Sequence, residues 1–410
     1  MNPARRCVVL ILDGLGDRPV PALGNRTPLE AARTPRLDHL AATGKCGLVD
    51  PIAPGRVPNT HTGVGVLFGL RPEQRGLLHR GPIEAAGAGI RLQPGDIAFR
   101  ANLATLAPAD DGLVVLDRRA GRVTDDAPLF AESLREVALG GGVVARFHAT
   151  DQHRGALVLS GPGLSAAVTN TDPGDGAIPA PLKTCRAKEP EAARTAGLLQ
   201  RYLWSAHEIL RDHPLNRERV ASGKLPVSGV ITRGAGAYFE LDGLLHSRGL
   251  RAALVVGCNT VAGLGRVFGL QVVREPGFTA DRHTDVAGKL RAARRALGSR
   301  RLVYVHIKAP DLFAHDFEPA DKRDFLESFD RALVELEDCG AAIAVSADHT
   351  TDSNSGAHTA DPVPALFCPP GADRSPPAGF NFGEGACRER GVPRRDGHAF
   401  LAEILDYLSS

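Results

Sequence analysis

A chain of 410 residues with 43% hydrophobic and 23% charged side chains can bury one large core, or one core with a smaller domain inserted in it. Its 49 basic and 47 acidic side chains leave a net charge of +2, which excludes the broad basic field that nucleic acid or an anionic bilayer selects. No apolar run reaches the roughly 18 to 20 residues of a membrane span, and the seven cysteines form no CxxC pair, so reduced structural thiols are expected rather than a zinc cluster or a disulfide framework.

In chain order, the first predicted element is a strand. MNPARRCVVLILDGLGD passes from a short basic lead into the apolar run Cys7 to Leu12, which stops at Asp13. Without the small-residue cleavage site of a secretion signal, it reads as a buried strand of a cytoplasmic protein. Thr27-Pro28-Leu29-Glu30 supplies an N-cap, a proline at the first helical position and a glutamate three residues past the cap, which start a helix running to Leu40. In GRVPNTHTGVGVLFGL, Pro58-Asn59 marks a turn, and the small apolar residues after it form a helix with Thr60 at its start.

From about 94 to 219 the segments become shorter, turn-rich and dense in arginine, as in DRRAGR and DQHRG. This stretch is expected to be an inserted α+β domain that interrupts a core made of residues 1–93 and 220–410. Beyond it, Ala252 to Val256, Leu302 to Ile307 and Ala341 to Ser346 are predicted strands; His283 to Ala296, Asp321 to Glu337 and His398 to Leu408 are predicted helices; Pro369 to Pro377 is a surface loop. Near-continuous apolar strands alternating with helices predict an α/β fold, a doubly wound parallel sheet covered on both faces.

Three of these strands are followed at once, or nearly so, by a metal-ligand type: Asp13 after VVLIL, Asp311 after VYVHI, and Asp348-His349 after AIAVSA. Open parallel sheets gather ligand sites at the C-terminal edges of their strands, so residues distant in sequence can converge there. Asp311 and His315 are four apart, which puts a carboxylate and an imidazole on one helix face, able to chelate one ion with His358 as a third ligand. Asp348 and His349 would hold another, completed or bridged by Asp13. Mixed Asp and His donors suit manganese or zinc, and a pair of such ions would clamp the oxygens of a phosphoryl transfer. Thr60 is the nucleophile candidate, because a helix N-terminus favours an anion there; Thr62 competes with it. Each residue alone has an ordinary reading: Asp13 as a turn residue, Asp311 and His315 as a surface ion pair, His358 as a loop histidine, Thr60 as a cap.

The motifs LILDGLGDRP, RTPLEAARTPRLDHLAATG, HRGPIEAAGAGI, IAFRANLAT, DRRAGR, HRGALVLSG, VTNTDP, ITRGAG, VHIKAPDLFAHD, DHTT and HTADPVP together resemble the archaeal type of cofactor-independent phosphoglycerate mutase, a member of the alkaline phosphatase superfamily, over nearly the entire chain. The resemblance implies an alkaline-phosphatase-like core and two divalent ions, manganese first, with zinc or magnesium as alternatives. Asp13, Thr60, Asp348 and His349 would hold one, and Asp311, His315 and His358 the other. It also implies an insert that grips a small phosphorylated carboxylic acid. Arg80, Arg100, Arg118, Arg119, Arg122 and Arg154, with Asn102, are the candidates for that grip, since guanidinium groups match carboxylate and phosphate bidentately. His153, with Arg154 beside it, is the candidate for proton exchange with the substrate hydroxyl. The implied reaction moves a phosphoryl group between the 2- and 3-hydroxyls of phosphoglycerate through a phosphothreonine.

Two departures stand against the family pattern. Asn59-Thr60-His61 replaces a turn of serine followed by aspartate, and Ala262 in GCNTVAGLGRVFGL stands where a lysine is usual, so a loss of positive charge beside the nucleophile is expected. They leave room for a phosphatase or phosphotransferase acting on a phosphonate or another phosphoglycerate analogue, and for a metal-binding homologue without catalysis.

Overall fold

The computed structural model describes residues 5–410 except 111, 175, 240, 242–243 and 373–378, so most of the loop expected at 369–377 lies outside the described residues. The chain divides into two compact units, one made of the residues up to Arg75 together with Leu241–Ser410, the other of Gly76–Glu240. The second unit thus extends past the expected bounds of 94 and 219 on both sides. Helix Arg80–Gly87 and strand Gly229–Ala237 belong to it. That strand pairs antiparallel with Ile97–Ala109 from Ile97 opposite Ala237 to Ala104 opposite Gly229, a long-range partnership that a change in composition does not reveal.

The first unit is built on an eight-stranded sheet, in the order Gln271–Val273, Ala252–Val255, Leu302–Ile307, Cys7–Leu12, Ala342–Ser346, Val363–Cys368, Lys45–Asp50 and Val392–Asp396. Cys7–Leu12 lies parallel to both neighbours, and all six of its residues are buried. That accounts for an apolar run without alternation: both faces are covered, and each aliphatic side chain contributes roughly 1.5–3 kcal/mol by leaving water. Val363–Cys368 runs antiparallel to both of its neighbours, so the sheet is mixed rather than wholly parallel. The helix expected from Thr27 to Leu40 is two helices, Pro28–Ala31 and Pro35–Thr43. Thr27 and Glu30 do form the reciprocal cap, but Pro35 pushes Thr34 out of helical geometry and starts the helix anew.

The second unit is α+β. Its antiparallel sheet runs Val137–Gly140, Val143–Ala149, Arg154–Ser160, Ile97–Ala109, Gly112–Asp117 and Ala180–Pro181, with Gly229–Ala237 paired to the long central strand. Helix Ala193–Arg211 lays Leu199, Tyr202, Leu203 and Leu210, at helical spacing, into a core shared with Phe130 and Phe147. Among the described residues no helix is long and apolar enough to cross a membrane.

Candidate active site

Three adjacent parallel strands of the first unit, Leu302–Ile307, Cys7–Leu12 and Ala342–Ser346, end at one edge of the sheet, and their next residues carry the polar groups. The Asp13 N–H donates to the Ile307 carbonyl at 2.9 Å, which extends the ladder by one step and fixes where the carboxylate begins. Thr60 opens helix Thr60–Leu67, capped by Asn59. The Thr62 N–H donates to Asn59 Oδ1 at 3.0 Å and the Asn59 N–H to Thr62 Oγ1 at 3.1 Å. Thr62, the competing nucleophile, is therefore occupied as a cap. Thr60 Oγ1 lies 3.4 Å from His349 Nε2 and accepts from Lys308 Nζ at 3.4 Å. Gly63 makes this approach possible: a Cβ there would stand 2.0 Å from the Asp348 carbonyl oxygen, so a side chain would drive the helix off the segment that carries Asp348 and His349.

The structure brings all seven sequence-derived ligand candidates together. Asp13, Asp348 and His349 present ligand atoms within 4.8 Å of one another, as do Asp311, His315 and His358. The His349 and His358 rings stack with centroids 3.7 Å apart, joining the two sets. Each histidine is oriented from behind. His315 Nδ1–H donates to the Gly356 carbonyl at 2.7 Å, His358 Nδ1–H to the Pro58 carbonyl at 3.3 Å, and His349 Nδ1–H to Thr351 Oγ1 at 3.0 Å. What each turns inward is Nε2, an atom that takes a proton or a cation. The Nε2 atoms of His315 and His358 are 3.1 Å apart and 3.3 and 3.4 Å from Asp311 Oδ1. Three acceptors so close repel unless they share a positive centre. Asp348 Oδ2, buried, faces His349 Nε2 at 3.1 Å. Burial would push His349 down, but the carboxylates of Asp348 and Asp13 outweigh it and raise it to about 10, the field in which a divalent cation also binds. The donor set therefore fits divalent metal bound by mixed oxygen and nitrogen ligands.

Positive charge beside Thr60 is present, contrary to the expectation drawn from Ala262, which lies fully buried in helix Asn259–Val267. Lys308 supplies it. Its Nζ donates to Asp13 Oδ1 at 2.9 Å and pairs with Asp311 Oδ2 at 2.7 Å. Burial opposes the charge on each partner, yet Lys308 holds Asp13 and Asp311 well below the usual carboxylate range and is itself pushed up by them. His306, wholly buried, donates Nε2–H to Asp13 Oδ2 at 2.9 Å. Sequence reasoning missed both residues. Lys308 had a usable signal, since it directly follows a strand and stands three residues before Asp311 on the same helical turn. Lys308→Met is expected to lower kcat by roughly 100-fold, the order lost with one donor to a developing anion, while bound metal measured by elemental analysis stays unchanged. An active Lys308→Met protein would remove Lys308 from the reaction.

In the second unit, an Asp117 turn, whose Oδ1 accepts from the N–H groups of Arg119 and Gly121 at 2.7 and 3.1 Å, presents three of the expected arginines. Buried His153 lies in the field of Arg154, Arg119, Arg100 and Arg122; burial first, then these charges, push it down to about 3. Asn102 stands opposite Arg154 on paired strands. Asn102 Oδ1, His153 Nδ1 and Arg154 Nε are buried without a hydrogen-bond partner among the described residues, an uncommon cluster of unsatisfied polar atoms. Arg118 is differently placed: its guanidinium grips Asp172 bidentately at 2.8 and 2.8 Å, so its charge is already matched. Arg233, missed from sequence within ITRGAG, lies 3.8 Å from the same Asp172 and opposite Arg100. Arg80 lies half-buried on the first turn of helix Arg80–Gly87.

Fold and site thus define an α/β core with two groups of side chains able to hold a metal at one strand edge, carrying an α+β insertion. A profile of the family described as 2,3-bisphosphoglycerate-independent phosphoglycerate mutase matches residues 41–216. Proteins of that name from Methanopyrus kandleri and Methanoculleus marisnigri are 39% and 40% identical to this chain, covering 91% and 99% of it and 89% and 98% of their own lengths. Among solved structures, the PH0037 protein from Pyrococcus horikoshii superposes with a TM-score of 0.82 at 28% identity, covering 99% of this chain and 98% of its own. The cofactor-independent phosphoglycerate mutase from Thermoplasma acidophilum does so with a TM-score of 0.69 at 32% identity, covering 98% and 100%. The chain belongs to the 2,3-bisphosphoglycerate-independent phosphoglycerate mutase family, an enzyme family of the isomerase class.

Proposed function

We propose that this protein interconverts 3-phosphoglycerate and 2-phosphoglycerate through a phosphothreonine at Thr60. The observation that carries the reading is the placement of the Thr60 hydroxyl at a helix N-terminus, 3.4 Å from both Lys308 Nζ and His349 Nε2, beside two complete donor sets. In the first half, a bond forms between Thr60 Oγ1 and phosphorus as the bond from phosphorus to the substrate's 3-oxygen breaks, and the threonine proton ends on that oxygen. In the second half the 2-hydroxyl takes the phosphoryl group, and its proton ends on Thr60. Divalent ions, manganese foremost, held by Asp13, Thr60, Asp348 and His349 and by Asp311, His315 and His358 would supply Lewis acidity and lower the hydroxyl pKa.

Lys308 lends positive charge to the attacking oxygen and to the phosphoryl oxygens in transit. The helix start adds backbone N–H groups and its dipole. Arg80, Arg100, Asn102, Arg119, Arg122 and Arg154 bind the sugar acid, with Arg118 braced by Asp172 behind them. His153, depressed to about 3 by burial and its arginines, is uncharged at neutral pH, and it can accept the proton of the attacking 2-hydroxyl once the anionic substrate offsets those arginines. With 3-phosphoglycerate and manganese, phosphorus NMR is expected to show 2-phosphoglycerate growing in without free phosphate. Accumulating free phosphate would mark a phosphatase instead, and no conversion above a metal-free control would remove this substrate.

A further inference from the structure

Between the two donor sets lies a buried side chain that belongs to neither. Thr351 sits in strand Thr350–Asp352, two residues past His349, and is wholly buried. Its hydroxyl has one proton. That proton goes to Asp311, with Thr351 Oγ1 donating to Asp311 Oδ1 at 2.8 Å, because an ionised carboxylate has none to give. The same oxygen must then accept from His349 Nδ1–H, 3.0 Å away. We propose that Thr351 is a positioning residue that couples the two ion sites, its single hydroxyl orienting one ligand of each. Resting on the metal assignment proposed above, this adds a link between sites that ligand spacing does not disclose.

The link is held rigidly. Gly14, with φ of +65°, leaves the slot the hydroxyl fills: a Cβ there would stand 2.7 Å from Thr351 Oγ1 and 2.9 Å from Asp311 Cα. The Thr351 N–H donates to the Gly16 carbonyl at 3.0 Å. Lys322 Nζ donates to the carbonyls of Gly16 and Thr351 at 3.3 and 3.4 Å while paired at 2.7 Å with Asp17. Both members of that ion pair are fully buried, so the backbone of Thr351 is clamped from below and its hydroxyl has little freedom to swing.

A hydroxyl that fixes the tautomer of His349 and the carboxylate plane of Asp311 should act on metal affinity at both sites, since partners behind a ligand are commonly worth 10- to 100-fold in binding. The test is calorimetric titration of the metal-free protein with manganese, with the absorption spectrum of the cobalt-loaded protein as a second readout. Thr351→Val keeps the volume and removes the hydroxyl. Both binding events are expected to weaken by about 10- to 100-fold, the cobalt bands to shift, and Thr351→Ser to restore both. Unchanged affinities in Thr351→Val would overturn the proposal, as would weakening of one event alone or failure of Thr351→Ser to rescue. Should Thr351→Val not fold, Thr351→Cys, whose thiol is a weak donor and acceptor, takes its place under the same three criteria. Loss of mutase activity with intact metal binding would count against Thr351 while leaving the proposed reaction standing.

Discussion

Thr60→Ala is expected to lower kcat for phosphoglycerate interconversion by at least about four orders of magnitude, the scale seen when a covalent nucleophile is removed. The oxygen that would accept the phosphoryl group is gone, and no neighbour can replace it: the Thr62 hydroxyl is held in the Asn59 cap, and a shift of two residues would carry the attack point around the helix. KM should change far less, because the arginines assigned to the sugar acid are untouched. Thr60→Ser, which keeps the hydroxyl, should retain most of the rate. Rapid quench followed by mass spectrometry should find a phosphorylated peptide containing Thr60 in the wild type and none in the alanine variant. An alanine variant that turns over normally would end the phosphothreonine reading.

The second large effect is expected at Asp311. Its Oδ1 receives the Thr351 hydroxyl at 2.8 Å and faces His315 and His358, while its Oδ2 meets Lys308 at 2.7 Å. Asp311→Asn removes a negative charge from the middle of that set and turns an NH2 either toward Lys308, which cannot accept it, or toward imidazole nitrogens that would otherwise face the cation. One ion should be lost at ordinary metal concentrations. If that ion supplies several kcal/mol of charge stabilisation, activity should fall by about three orders of magnitude. The loss should be partly reversed by raising manganese, since weakened binding is offset by mass action. Elemental analysis is expected to show the metal content halved; a variant with full metal content and full activity would contradict the assignment of Asp311 as a ligand.

Much of this site was legible because the chemistry sits where the sheet puts it. Asp13, Asp311 and the pair Asp348 and His349 each follow a strand that reads clearly as an apolar run, and parallel neighbours end at one edge. The residues that escaped are those whose roles depend on a partner. His306 lies inside a strand, where a lone histidine carries no spacing signal, and Thr351 belongs to a three-residue strand. Lys308 looks like any solvated lysine until two carboxylates close on it. Ala262 drew attention to a missing charge, yet the field at Thr60 depends on which ammonium arrives in space and not on which position donates it.

The fold shows the same division. Strands packed on both faces were found to within a residue or so at each end, as at Cys7–Leu12 and Leu302–Ile307. Val363–Cys368 was hidden by Pro364, which ordinarily argues against a strand, and Val392–Asp396 by its arginines at the sheet edge. The borders of the second unit were misplaced because strand Gly229–Ala237 joins it through pairing with Ile97–Ala109, and pairing between distant segments leaves no trace in local composition.

The pairing of Cys7–Leu12 also bears on how the chain reaches this state. Both partners of that strand come late: Cys7 pairs with Leu302 on one side and Ala342 on the other. A ribosome therefore makes the centre of the first sheet long before either flank exists, whereas the second unit draws its partners from a single continuous stretch. Loops this long are slow to close, and an apolar strand kept waiting is prone to wrong company. Thr60 and Asp13 therefore wait for the segments that follow Ile307 and Ser346 before the proposed site can assemble.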